Sequence, residues 1–192
     1  LEEDRQACKQ KIYDFNQLPP SRQSKEAPQM IKNIFGKTGE NVWVEAPFHC
    51  DYGWNIEVGE NFYSNYNLTI LDVGKVTCGK NVQIAPNVSI YTAGHPVHPD
   101  SRNSGYEYGI PVTVGDNVWI GGNTVILPGV TVGSNVVIGA GSVVSKDIPD
   151  NTIAAGNPCK VIRKITDEDR IYYFKKQKFD DEAWEEVKNK NK

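Results

Sequence analysis

Between Val114 and Val144 an aliphatic side chain returns at every sixth position, as Val114, Ile120, Ile126, Val132, Ile138 and Val144. Three places after the first five of these stand Asn117, Asn123, Gly129, Asn135 and Gly141. Helical burial repeats near 3.6 residues and strand burial at 2, so a period of six locked to a turn residue predicts short strands joined by repeated corners. Asn and Gly suit such corners because positive φ is cheap only for Gly and, to a lesser degree, for Asn and Asp. Gly115, Gly121, Gly133 and Gly139 directly follow an aliphatic position and remove bulk beside the turn. Val118, Thr124, Val130, Val136 and Ser142 lie four past it and are small enough to help fill a narrow prism.

The same frame runs backwards. Asn55, Asn61 and Asn67 precede Ile56, Phe62 and Leu68, and Asn81 and Asn87 precede Val82 and Val88, with a slip of two residues between Asn67 and Asn81. The predicted fold is mainly β, a parallel β-helix of hexapeptide repeats from about Tyr52 to Ile153 within a segment 52–165. Three hexads, about 18 residues, make one coil, and coils stack about 4.8 Å apart. The period leaves handedness open, and parallel crossovers in general favour the right-handed form. Residues 1–51 form an N-terminal, partly helical segment. Within it Ser21 caps a helix through Met30, Ile31, Ile34 and Phe35 to a stop at Gly36, with Pro28 counting against it. Pro149 to Pro158 leaves the coil, and Val161 to Ile165 adds an edge strand. Thr166 with Asp169 caps a last helix or tail over 166–192, ending in the charged 189–192 stretch.

A chain of 192 residues, 39% hydrophobic and 23% charged, suits one soluble domain. A net charge of -3 and a pI near 5.7 exclude a nucleic-acid groove, which needs a basic surplus. No apolar run is long enough to cross a bilayer and no leader is visible, so neither a membrane nor a nucleic-acid partner is expected and the location is cytoplasmic. The chain opens on Leu1 rather than Met, and a natural start upstream is expected. Cys8, Cys50, Cys78 and Cys159 lack the pair spacing of a zinc or redox motif and are expected to be reduced and buried.

The frame breaks between Ile90 and Val112, giving an inserted loop over 91–111. Insertions in a solenoid loop out on one face, often the binding face. The loop carries His95, held between Gly94 and Pro96, and His98. Three readings compete for His95. It is a loop histidine bonded to its surroundings; or, with His49 and His98, a zinc ligand; or a general base, since imidazole titrates near the working pH.

Asn61-Phe-Tyr-Ser-Asn-Tyr-Asn-Leu-Thr-Ile-Leu-Asp72, Ala85-Pro-Asn-Val88, Thr92-Ala-Gly-His-Pro96, Asn117-Val-Trp-Ile-Gly121, Pro128-Gly-Val-Thr-Val-Gly133, Ala155-Gly-Asn-Pro158 and Val161-Ile-Arg163 together resemble the maltose and galactoside O-acetyltransferases. The likeness runs from Tyr13-Asp-Phe-Asn16 to the tail. It implies a left-handed parallel β-helix, a homotrimer, acetyl-CoA lying along the coil between subunits, a sugar acceptor, and no catalytic metal. It makes His95 the general base that takes the hydroxyl proton and returns it to the departing CoA thiolate. Asn65, at a place where other rungs carry Gly, is implied as a catalytic and acceptor contact, with Asp51 and Tyr63 lining the acceptor side and Glu107 beside them. For acetyl-CoA the resemblance implies the Gly122 N–H as oxyanion donor, room at Ala140, and contacts from Ser145, Lys146, Lys160 and Arg163. The chain departs from the pattern in carrying Gly122 where Ser is frequent, Lys160 where Arg is frequent, and Val73 where galactoside enzymes can carry Asp. The acidic residue that the family places before the first helix has no counterpart.

Two other functions fit the hexads: acyl transfer to an amine or antibiotic, and a zinc carbonic anhydrase on the same coil. The latter family spaces two of its ligands more widely than His95 and His98. A purely structural repeat accounts for the hexads but not for the loop.

Overall fold

The computed structural model describes residues 1–190. Helices α1 (Glu2–Asn16) and α2 (Pro20–Ile34) open the chain. The cap of α2 is Pro19, with Pro20 in the first turn, rather than Ser21. Proline's fixed φ suits that position, and the N–H it lacks would have had no intrahelical partner. Pro28 lies inside α2 without ending it. A proline there costs about 3 kcal/mol, offset by burial of Ala27, Ile31 and Ile34 against the coil.

From Lys37, which bridges to Glu57, the backbone winds into a left-handed triangular prism. The right-handed rule belongs to strands whose twist feeds a long crossover, whereas these strands of two to four residues turn corners directly. One face stacks Val42–Val44, Phe62–Ser64, Gln83–Ile84, Trp119–Ile120, Val137–Ile138 and Thr152–Ala155. The second stacks Ile56–Val58, Val76–Cys78, Val112–Val114 and Thr131–Val132. The third stacks Phe48–Cys50, Leu68–Leu71, Ser89–Tyr91, Val125–Ile126 and Val143–Val144. The coil therefore begins upstream of Tyr52. The hexad signal fades there because the end coil packs against helices rather than another coil.

In-register pairing puts like on like, Ile84 under Ile120 under Ile138 and Ile90 under Ile126 under Val144. All six are buried, as are Val118, Thr124, Val130, Val136 and Ser142. Corner side chains form a second stack. Asn61, Asn81, Asn117 and Asn135 each donate Nδ2 to the Oδ1 of the asparagine in the next coil, Asn151 being last, over 2.8–3.0 Å. All five have φ between 55° and 58°. Asn55 departs from this pattern: Gly53 takes the positive φ, at 79°, and Asn55 donates to the Asp72 carbonyl at 2.7 Å.

Both ends of the prism are covered. Phe35, after α2, sets its ring edge-on to Phe48 at 5.5 Å and Phe62 at 6.5 Å. Asn16 exchanges two 2.9 Å hydrogen bonds with the Phe48 backbone, its amide replacing the strand that a bare sheet edge would recruit. At the far end Lys160–Lys164 lies antiparallel on Thr152–Ala155. All four cysteines are buried and outside any disulfide, with Cys8 Sγ 3.7 Å from Cys50 Sγ, and burial pushes the Cys78 thiol up to about 12.

Candidate active site

The edge of the prism between the third and second faces is where the hexads slip. After Ile126 it is a tight turn, but it widens to Asp51–Asn55 in one coil, Asp72–Lys75 in the next, and the whole 92–111 loop in the one after. Candidate residues Asp51 and His95 therefore share one edge.

The loop's base is a short antiparallel pair, Ala93–Gly94 against Tyr108–Gly109. A Cβ on Gly94 would run into the Tyr108 ring, so only glycine lets that ring lie across the strand. Helix α3 (Pro99–Asn103) fills the loop, and His98 Nδ1 caps it by accepting from the Asp100 N–H at 3.2 Å. His95 Nδ1 is 3.1 Å from the Tyr106 carbonyl oxygen. A carbonyl can only accept, so Nδ1 carries the proton and Nε2 of the neutral ring keeps its lone pair. Glu107 Oε1 lies 3.9 Å from that Nε2, and the ring is 54% exposed. His49, on an outer strand face, and His98, turned to its own helix, do not join His95. Among the described residues no group of three His, Cys, Asp or Glu side chains is placed to hold a metal ion.

Asp51 has a partner that the sequence does not advertise. Arg5 Nε, from α1, lies 3.5 Å from Asp51 Oδ1, and its guanidinium sits 5.1 Å over the Tyr52 ring. This buried Nε has no hydrogen-bond partner among the described residues. One arginine among the acids of a charged helix carries no motif to single it out.

Asn65 stands at a different edge, between the first and third faces. Ser64 beneath it is fully buried and donates to the Asn65 carbonyl at 3.0 Å. Asn65 Oδ1 accepts from the Tyr66 N–H at 2.7 Å, so its oxygen serves the corner and its Nδ2 points at no partner among the described residues. The backbone N–H groups of Asn65, Ala85, Gly121 and Gly139 each bond one coil on, over 2.8–2.9 Å, placing these residues in one column. Small side chains stand above Asn65 in that column, as Ala85, Gly121 and Gly139. Gly122 opens onto it with an N–H that bonds nothing among the described residues, and Ala140 is exposed beside it. Tyr63 projects from the outer face beside Trp43, away from Asp51. Ser145 and Lys146 are exposed on the His95 edge, at a later coil.

Lys160 is exposed on the terminal strand. Arg163 is not free: its fork grips Asp169 at 2.7 and 2.8 Å. That pairing, reinforced by the Thr166 N–H, holds the Asp169 carboxyl well below its usual 3.8. A depressed carboxylate contributes stability above its unfolded value and loses it as pH falls through its folded one. Acidification well below 3.8 is thus expected to loosen the turn that opens the segment after Lys164, a 3₁₀ turn Asp167–Ile171, a hairpin and α4 (Asp181–Lys190), before the coil unfolds. Hydrogen exchange across 165–174 measures this; simultaneous loss of protection in 112–144 would contradict it. The cap at Thr166 thus opens a 3₁₀ turn and a hairpin rather than the helix itself. Asn189 and Lys190 end α4, and the rest of the charged tail lies outside the described residues. No helix of the described residues is long and apolar enough to cross a membrane.

Known proteins resemble this chain in sequence and in fold. The family described as "Bacterial transferase hexapeptide (six repeats)" matches residues 111–146, and "Maltose acetyltransferase hexapeptide capping motif" matches residues 1–39. The galactoside O-acetyltransferase of Escherichia coli K12 is 53% identical over 178 residues, 93% of this chain and 87% of that protein. That of Lactococcus lactis is 41% identical over 170 residues, 88% and 82% of the two chains. A solved galactoside acetyltransferase in complex with coenzyme A superposes with a TM-score of 0.90 at 52% identity, covering 93% of this chain and 89% of that one. The maltose O-acetyltransferase of Clostridium difficile 630 gives 0.84 at 53%, covering 86% and 88%. At 53% identity over 93% of its length, the chain belongs to the hexapeptide-repeat acyltransferases, closely related to the maltose and galactoside O-acetyltransferases.

Proposed function

We propose that the protein transfers an acetyl group from acetyl-CoA to a hydroxyl of a sugar, with His95 as general base. The observation that carries this is the Nδ1 contact with the Tyr106 carbonyl, which leaves Nε2 as a proton acceptor on an exposed loop. Bound acetyl-CoA supplies an acyl group already activated as a thioester, so no serine or cysteine nucleophile is required. His95 Nε2 removes the hydroxyl proton as that oxygen bonds to the acyl carbon and the carbon–sulfur bond breaks; the imidazolium then protonates the thiolate. The Gly122 N–H is suited to the oxygen of the thioester carbonyl, a role commonly worth about 2.7–4 kcal/mol. The column of small residues beside it, Ala85, Gly121 and Gly139, suits the close approach of a narrow acyl-pantetheine arm.

Asn65 orients the acceptor through its unpartnered Nδ2. Asp51, with Arg5, and Tyr63 supply polar contacts to the sugar. Ala140, Ser145, Lys146 and Lys160 line the acetyl-CoA path, and Arg163 contributes to the phosphates only in exchange for its grip on Asp169. His95 and Asn65 occupy different edges of one prism, so a site using both draws them from neighbouring copies. A homotrimer provides such a junction three times.

The test is an acetyl-CoA assay across maltose, glucose, galactosides and amines, with the solution mass measured alongside. Thiol release dependent on a sugar, from a species three times the 21.4 kDa chain mass, is the expected result. Transfer to amines alone would overturn the sugar reading, and full activity in a monomer would overturn the shared site.

A further inference from the structure

The widened edge does more than carry Asp51 and His95; its middle rung ties them together. Asp72 is fully buried, and its carboxylate accepts three backbone N–H groups, Asp51 at 2.8 Å, Tyr52 at 2.9 Å and Gly53 at 2.7 Å. Those three residues carry the acceptor-side carboxylate and the ring under Arg5. Burial pushes the Asp72 pKa up, and the three N–H donors work against that shift. Two residues on, the Gly74 N–H donates to Thr92 Oγ1 at 2.7 Å, and that hydroxyl donates to the Leu71 carbonyl at 2.6 Å. The Thr92 backbone bonds Leu71 on one side at 3.1 Å and Ile110 on the other at 2.8 Å. Thr92 is fully buried, at the root of the loop, three residues before His95. A Cβ on Gly109 would come within 2.7 Å of the Gly74 nitrogen, so the far root of the loop rests on the same turn.

We infer that Asp72 and Thr92 are positioning residues, which hold the acceptor segment 51–53 and the His95 loop in fixed relation through the 71–74 turn. The inference rests on the roles proposed above for Asp51 and His95. In a transfer that requires hydroxyl, base and acyl carbon in line, a displacement of about 1 Å can cost on the order of 10²-fold in rate. The slip of two residues between Asn67 and Asn81 thus has a use: it supplies the turn that a strict hexad corner would lack.

The test compares Thr92→Val, Thr92→Ser and Asp72→Asn with His95→Ala in one assay, reading kcat and both KM values, with a thermal melt for each. Thr92→Val keeps the shape but loses both side-chain hydrogen bonds. Its kcat is expected to fall about 10–100-fold with the acetyl-CoA KM unchanged, and Thr92→Ser to restore it. Asp72→Asn cannot accept all three N–H groups and is expected to raise the acceptor KM about tenfold. Because both act on one turn, the double variant should be less impaired than the product of the singles. A Thr92→Val enzyme that melts earlier but turns over normally is merely less stable, and that outcome overturns the inference. If Thr92→Val does not fold, Asp72→Glu decides, since moving the carboxylate by one methylene should shift the acceptor KM alone; an unchanged value overturns the inference. Normal turnover in His95→Ala would instead remove the base assignment, a separate failure.

Discussion

His95→Ala is expected to lower kcat by about 10²–10⁴-fold while the KM for acetyl-CoA stays nearly constant. A sugar hydroxyl is a poor nucleophile toward a thioester until its proton leaves, and only the transition state uses the imidazole. The ring contributes nothing to the column of small residues proposed to receive the acyl arm, so cofactor binding has no reason to change. Glu107 adds little to that role. At 3.9 Å from Nε2, with the two side chains 54% and 38% exposed, its interaction with an imidazolium is worth no more than about 1 kcal/mol. Steady-state kinetics with both substrates varied give the split directly. Turnover near the wild-type value would take His95 out of the mechanism, and a parallel loss of acetyl-CoA affinity would make it a binding residue.

Much of this architecture was legible as sequence because a solenoid repeats its local physics. Each Asn corner sits in the left-handed region, where few other residues settle cheaply, and each aliphatic stacks on its counterpart one coil away, so single positions could be read from the period. The same reasoning failed wherever a neighbour other than a coil supplies the contacts. Val42–Val44 and Phe48–Cys50 belong to the stacked faces, yet Asn41 before Val42 gives its amide to Glu60 instead of the asparagine ladder, and Pro47 precedes Phe48 where Asn67 precedes Leu68. Asn55 matched the frame yet does another task, because the edge it belongs to had widened. Within the candidate site, His95 stood out by its glycine and proline neighbours. Arg5 did not, for its role depends on how α1 crosses the first coil. Arg163 was visible as a cation, but its engagement by Asp169 depends on a turn that no spacing rule predicts.

Phe48→Ala is the substitution expected to cost the fold most, about 3–5 kcal/mol. Interior rungs are sandwiched between coils, whereas the first has a coil on one side only and must be closed by other means. Phe48 is fully buried, receives the edge of the Phe35 ring at 5.5 Å and holds Asn16 by two backbone hydrogen bonds. Removing the ring leaves a void beside Phe35, and α1 cannot sink toward it without breaking the Asn16 pairing. For a domain of this size each kcal/mol lowers Tm by roughly 2–4 °C, so a fall of about 6–20 °C is expected. Denaturant titration should show the loss in the midpoint with the slope retained, as for a smaller gap between the same two states. A loss below about 1 kcal/mol would mean that α1 and α2 merely rest on the prism, and the acceptor segment hanging from Arg5 would then lack the rigid backing this geometry assigns to it.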